Sequence, residues 1–164
     1  AVCTLGKMLI QDAARLAEQE VRELWEANYF RPRVFTEAYI TSMRMSATKG
    51  LIIHIGSNSS RYGKPGAEDY AAMKAALLKY CEIRGKSVAS DGIRICCVNL
   101  GGVVNGFWDR VRAGNFSAEI AEDLIPRSDK GMTNSEVVDL LIAIMCLPEN
   151  LAVKDLLVVG RAYQ

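Results

Sequence analysis

Tyr70 and Lys74 stand four residues apart in the run Asp69-Tyr70-Ala71-Ala72-Met73-Lys74-Ala75-Ala76. Four positions is about one helical turn, so on a helix the phenol and the ammonium project from one face. A cation held within a few Å of a phenol favours the phenolate and lowers its pKa toward neutrality, the property a tyrosine needs to pass a proton. A half-buried tyrosine beside a solvated lysine gives the same spacing, so the pair needs context. Ser57 supplies it, thirteen residues upstream at the end of the apolar run Leu51-Ile52-Ile53-His54-Ile55-Gly56. Such a run reads as a buried parallel strand. Ligands of open α/β sheets bind beyond the carboxyl ends of strands, so a hydroxyl there is placed to hold a substrate oxygen.

The elements that must position these groups are legible in outline. Residues 13–45 carry a helical pattern, with Leu16, Val21, Leu24 and Trp25 at three- and four-residue spacing and Glu18, Glu20 and Glu23 in the early turns. Pro32 interrupts it, because a proline has no N–H for the carbonyl four residues back, that of Asn28. A kink that frees the Asn28 carbonyl is expected, either as a functional feature or as a helix bent around the core. Tyr29, Phe30, Phe35 and Tyr39 read as packing. Lys49-Gly50 is expected to end the helix. After Ser57, residues 59–66 read as loop, either simply solvated or bordering a substrate with Tyr62 as the contact. The helix that follows carries Ala71, Ala72, Ala75 and Ala76, which favour helix and allow close packing. Strand 93–98 leads into Gly101-Gly102-Val103, where glycine lets backbone approach a flat ligand. Thr133-Asn134-Ser135-Glu136 is a capping box for an apolar helix over 137–147, stopped by Pro148. Residues 156–159 read as a last strand.

A chain of 164 residues, half of them hydrophobic, suits one domain with a sizeable core. Twenty basic against nineteen acidic residues, net charge +1, leave no footprint for nucleic acid or a membrane surface. Cys3, Cys81, Cys96, Cys97 and Cys146 form no C-x-x-C pair and read as reduced core thiols of an intracellular protein. His54, the single histidine, reads as a core or sheet-surface residue, and no metal site is expected. No signal peptide or membrane-spanning run is visible.

Strand-end serine, loop and Tyr-x-x-x-Lys helix together resemble the active site of the short-chain dehydrogenase/reductase family. Gly92-Ile93-Arg94-Ile95-Cys96-Cys97-Val98-Asn99-Leu100-Gly101-Gly102-Val103 is similar to that family's next strand and Pro-Gly turn, and Asn28 to its helix asparagine. The resemblance covers about Ala1 to Val159. Departures are local: Gly56 and Met73 stand where the family usually has serine, Leu100 replaces the turn proline, Cys96 the strand asparagine, and Asn105 matches the threonine that meets the nicotinamide amide. No G-x-G-x-x-G occurs in these residues. Ala1-Val2-Cys3-Thr4-Leu5-Gly6 is similar to the family's fourth strand and its Asn-Ala-Gly turn, which implies that roughly 90 residues, three β-α units of about 30 each, are missing before Ala1. The lack of an initiator Met also suggests a processed or truncated product.

The expectation is therefore a Rossmann-like, doubly wound parallel α/β sheet, N-terminally truncated, one partial domain over 1–164, with strands near 1–4, 51–56, 93–99 and 155–159. The resemblance implies an NAD- or NADP-dependent oxidoreductase moving hydride between nicotinamide and a carbonyl or secondary alcohol. Its catalytic residues would be Asn28, Ser57, Tyr70 and Lys74, with Asn28 holding a relay water. Tyr70, Lys74, Gly101, Gly102, Val103 and Asn105 would meet the cofactor. Ser57, Asn58, Tyr62, Phe107 and Trp108 would meet the substrate, the last two in a lid over 107–126. A cytoplasmic location and a homo-oligomer, or a partner chain covering the exposed edge of the first strand, are implied, with no nucleic-acid or membrane partner. An inactive structural or binding subunit, or one fragment of a split reductase, is the alternative.

Overall fold

Apolar runs at strand and helix periods build a sheet with helices on both faces. The computed structural model describes residues 1–9, 16–106 and 131–161. Strand β1 (Val2–Cys3) is followed by α1 (Glu18–Trp25), a π-helical turn (Glu26–Phe30), α2 (Arg31–Met45) and β2 (Gly50–Ser57). A 3-10 turn (Asn58–Ser60), α3 (Glu68–Ser87), a second 3-10 turn (Ala89–Asp91), β3 (Ile93–Leu100), α4 (Asn134–Met145) and β4 (Asp155–Val158) complete it. The four strands lie in the order β1-β2-β3-β4, all parallel. This is the expected Rossmann-like sheet, and the four strand positions agree with the sequence to within two residues.

Alternation along the strands divides the core. Ile52, Ile93, Ile95 and Cys97 pack with Ile40 of α2 and with Leu77 and Cys81 of α3. Ile53, Cys96, Val98 and Leu100 pack on the opposite face with Ile144 of α4. Acidic Glu68 and Asp69 in the first turn of α3, and Arg84 and Lys86 in its last, oppose the helix dipole at both ends. Arg84 and the Tyr80 hydroxyl both donate to the Glu37 carboxylate, fastening α3 to α2. Four of the five cysteines are buried and free, and Cys146 is exposed rather than in the core.

Three boundaries differ from expectation. Helix α1 begins at Glu18, where the Glu20 carboxylate accepts from the Ala17 N–H at 2.9 Å; residues 13–15 lie outside the described residues. The interruption before Pro32 takes the form of the π-helical turn, in which the Arg31 N–H reaches the Glu26 carbonyl five residues back. Helix α2 stops at Met45, before Lys49-Gly50. Ala47 adopts a left-handed φ of 51°, and the Ala47 and Thr48 amides close on the Arg44 and Met43 carbonyls. That Schellman closure ordinarily carries glycine, and alanine offers no sequence signal for it. At the same end of the sheet Gly92, with φ of 71°, makes the turn from α3 into β3. The capping box of α4 is present, with the Thr133 hydroxyl accepting from the Glu136 N–H and the Glu136 carboxylate accepting from the Thr133 N–H.

His54 is fully buried between β2 and α2. The Thr36 hydroxyl donates its one proton to the Pro32 carbonyl at 3.0 Å, so across the 2.6 Å contact the His54 Nε2–H must be the donor. Nδ1 then carries a bare lone pair and has no hydrogen-bond partner among the described residues. Burial, with the Lys74 charge adding to it, holds the His54 pKa down at about 4. In the unfolded chain His54 takes up its proton below about pH 6.5. Acidification through that window favours the unfolded state, by up to roughly 3 kcal/mol at pH 4. Urea unfolding of His54→Leu should accordingly lose less stability than wild type between pH 6.5 and 4.5; parallel pH curves would contradict this account.

Candidate functional site

Parallel pairing of β2 with β3 sets Ser57 beside Leu100 at their carboxyl ends, and a cavity of about 540 Å³ opens there. Its walls include Ser57, Tyr70 and Lys74. Helix α3 turns the latter two onto the face that meets the sheet: Tyr70, Lys74, Leu77 and Cys81 are its buried residues, at spacings of four, three and four. Tyr70 and Lys74 are thus part of the stripe that docks the helix.

The Ser57 hydroxyl and Tyr70 line the same cavity, and Ser57 favours the phenolate. The Tyr70 pKa nevertheless lies above the usual phenol value, because burial opposes the phenolate more than Ser57 assists it. The sequence led us to expect the reverse, a phenol brought down by Lys74. The correction has a geometric cause, since the ammonium stands 5.7 Å from the centre of the Tyr70 ring in a desolvated site where burial dominates. Tyr70 therefore stays protonated at neutral pH, as a donor.

Lys74 is almost completely buried. Burial lowers its pKa to about 8, and attraction to Cys97 and Cys3 offsets part of the fall. Beneath it the pairs Cys3–His54 and His54–Cys97 run in register across β1, β2 and β3. Its Nζ makes one long hydrogen bond among the described residues, to the Ile55 carbonyl at 3.4 Å, and has donors to spare. Gly6 makes room for it: a Cβ there would lie 3.2 Å from Lys74 Nζ and 3.3 Å from Asn28 Oδ1.

Asn28 does not line the cavity but lies behind Gly6, fully buried. Its Nδ2 donates to the Lys7 carbonyl at 2.6 Å and to the Leu24 carbonyl at 3.0 Å, while Oδ1 accepts from the Lys7 N–H at 3.2 Å. The side chain is therefore committed to clamping the segment after β1. Only its main-chain carbonyl, deprived of an i+4 donor by Pro32, is left for a relay.

Gly101, Gly102, Val103 and Asn105 line the cavity beyond β3, and Asn58 and Tyr62 line it as well. Phe107, Trp108 and the expected lid lie outside the described residues. Tyr29, Phe30, Phe35 and Tyr39 do not line the cavity; Tyr29 and Phe35 pack against the core, whereas Tyr39 is exposed. Sequence reasoning missed Leu5, Met8, Lys64 and the α4 residues Asn134, Val137, Val138 and Leu141. The α4 signal was present, because an apolar helix that covers a sheet also presents residues at the strand ends. Among the described residues no group of three or more His, Cys, Asp or Glu is placed to hold a metal ion.

The unfolded chain keeps a lysine proton up to about pH 10.4, whereas folded Lys74 releases it near 8. Between those values the unfolded state binds more protons, so this residue's contribution to stability rises with pH, by roughly 3 kcal/mol in all. Wild type minus Lys74→Met, followed by urea unfolding from pH 7.5 to 10.5, should show that rise; a flat difference would contradict it.

Known proteins share both pattern and fold. The family model for short chain dehydrogenases matches residues 6–115, about two thirds of the chain. A 3-oxoacyl-(acyl-carrier-protein) reductase of Chlamydia muridarum is 31% identical over 87 residues, 53% of this chain and 35% of that protein. A dehydrogenase/reductase SDR family protein 7-like of Anopheles gambiae is 31% identical over 74 residues, 45% of this chain and 23% of that one. The matched stretch thus spans about a third or less of these curated relatives. Among solved structures, an alcohol dehydrogenase of the archaeon Thermococcus sibiricus, complexed with 5-hydroxy-NADP, aligns with TM-score 0.80 at 17% identity, over 99% of this chain and 63% of that one. The closed form of serine dehydrogenase complexed with NADP+ aligns with TM-score 0.83 at 18% identity, over 97% and 64%. The matched family model, together with a parallel sheet that carries Ser57, Tyr70 and Lys74 to one cavity, shows that the chain belongs to the short-chain dehydrogenase family.

Proposed function

We propose that the protein is an NAD- or NADP-dependent oxidoreductase that interconverts a small carbonyl compound and its secondary alcohol, within one Rossmann-like domain over 1–164. The observation that carries this reading is the convergence of Ser57, Tyr70 and Lys74 on a cavity whose far wall is the Gly101-Gly102-Val103 backbone. The fit to a nicotinamide nucleotide rests on two features of that cavity: glycine backbone along one wall, and a buried ammonium with unspent donors. Lys74 and Tyr70 would hold the nicotinamide ribose, and Gly101, Gly102, Val103 and Asn105 the ring end. When bound, the nucleotide supplies or accepts the hydride.

The chain's own residues manage the proton. Ser57 donates a hydrogen bond to the substrate oxygen and holds it against the Tyr70 hydroxyl. Negative charge grows on that oxygen during reduction, so both donors bind it more strongly in the transition state than in the ground state. Tyr70 then transfers its proton to the oxygen, and the Lys74 ammonium stabilises the phenolate that remains. In the oxidative direction the same groups work in reverse. In this reading the Asn28 carbonyl, freed by Pro32, anchors a water that returns the proton through Lys74. Asn58 and Tyr62, with Phe107 and Trp108, would shape the substrate side.

Tyr70→Phe removes one oxygen from the cavity wall. It should reduce kcat by roughly a hundredfold or more in the full chain, with NADH or NADPH and a panel of ketones, while the melting temperature stays close to wild type. A variant that keeps most of its turnover would show that another group supplies the proton. A wild-type protein that turns over no carbonyl or alcohol with either nucleotide would remove the enzymatic reading.

A further inference from the structure

A chain of polar contacts grips the carboxyl end of β2 from behind. Asn99, fully buried, is the cross-strand partner of Gly56. A Cβ on Gly56 would fall 2.2 Å from Asn99 Oδ1, so the space left by glycine is the space the Asn99 amide fills. Asn99 Nδ2 donates to Asp155 Oδ1 at 2.7 Å, and Oδ1 accepts from the Ser60 hydroxyl at 3.1 Å and, at 3.7 Å, from the Cys97 thiol. The other Asp155 oxygen forms an ion pair with Arg61. The Ser60 hydroxyl shares its single proton between Asn99 Oδ1 and the nearer Ser57 carbonyl oxygen at 2.7 Å. The contacts therefore close a ring: from β2 through Ser60 and Arg61 to β3 and β4, and back.

Ser57 depends on that ring for its orientation. Its Oγ accepts from the Ser59 N–H at 3.1 Å and reaches Asn58 Oδ1 at 3.4 Å. Both partners belong to the turn that Ser60 and Arg61 tie down, so the hydroxyl points wherever the turn points. We propose that Asn99 is a positioning residue: with Asp155 and Arg61 it brackets the 58–61 turn and so aims the Ser57 hydroxyl at the Tyr70 phenol. An amide suits the place because one side must donate to a carboxylate while the other accepts from a hydroxyl. Aspartate at 99 would oppose Asp155, and leucine would leave Asp155 and Ser60 facing hydrocarbon.

The proposal rests on Ser57 as the donor to the substrate oxygen, and its test separates the two claims. Label the full chain with tyrosine carrying ¹³C at Cζ, and assign the Tyr70 resonance with Tyr70→Phe. Ser57→Ala gives the shift caused by losing the Ser57 bond. Asn99→Leu should reproduce most of that shift, Arg61→Ala a smaller part, and Arg61→Lys should restore the wild-type position. A Tyr70 resonance unmoved in folded Asn99→Leu overturns the proposal. Should that variant not fold, an unmoved resonance in Arg61→Ala, at a half-exposed site, overturns it equally. In turnover, Asn99→Leu should lower kcat by roughly 10- to 100-fold with KM changed less than about threefold, and the loss should vanish in a Ser57→Ala background. Losses that simply add would mean that Asn99 acts on stability alone and would overturn the proposal. The shift without any turnover would support the bracket and count against the enzymatic reading.

Discussion

Burial of the Lys74 ammonium is the constraint to which the surrounding structure conforms. A charge that has lost its water needs partners, or it surrenders its proton, and here few partners are offered. Among the described residues the Lys74 Nζ has one long bond, to the Ile55 carbonyl; burial brings the pKa down to about 8, and Cys97 and Cys3 offset only part of that fall. The cost shows in the neighbours. Gly6 carries no side chain because the ammonium and the Asn28 amide stand where a Cβ would crowd them. His54, in register between Cys3 and Cys97 beneath the lysine, is held neutral, so that no second cation shares the site. Burial thus sets the two groups apart, with the lysine brought close to losing its proton and the phenol kept from losing its own, so the neutral phenol is the favoured form of the pair.

The two pKa shifts bear on direction. Burial disfavours both charged forms, the Tyr70 phenolate and the Lys74 ammonium, and outweighs the help that Ser57 gives the one and Cys97 and Cys3 give the other. A ligand that brings a developing oxyanion into the cavity changes the balance, because the phenol proton then has somewhere to go and the ammonium has a charge to face. The site as it stands thus presents a neutral phenol, able to donate to an oxygen placed against it.

Sequence spacing showed much of this because helix and strand periods are rigid. An apolar run ending at Ser57 and a tyrosine one turn before a lysine fix where those groups must lie once α3 packs on the sheet. Their pKa values were not legible. The four-residue spacing places a cation near the phenol, but the depth of burial that reverses its effect is a property of the whole fold. The Ala47 helix end escaped notice for a similar reason, since a left-handed alanine is held by the hydrogen bonds around it rather than by its own preference. Asn99 escaped because a polar residue in a strand carries no period. Its signal is relational: a glycine at 56 and an asparagine at 99 mean something only once register makes them neighbours.

That relation also accounts for a departure from the usual family pattern. Gly56 occupies a place where a serine is common, and taken alone it looks like the loss of a hydroxyl beside the reactive one. In the fold, the polar group at that point arrives from the adjacent strand instead. The Asn99 amide enters the vacated volume and delivers an acceptor to Ser60, in the turn that carries Ser57. A glycine on one strand and an amide on the next together do the work of one larger side chain. The amide can also reach where a serine at 56 could not, to Asp155 on β4, and through it to Arg61. The turn after β2 is thereby tied to β3 and β4, the rigid part of the sheet, and not only to its own strand.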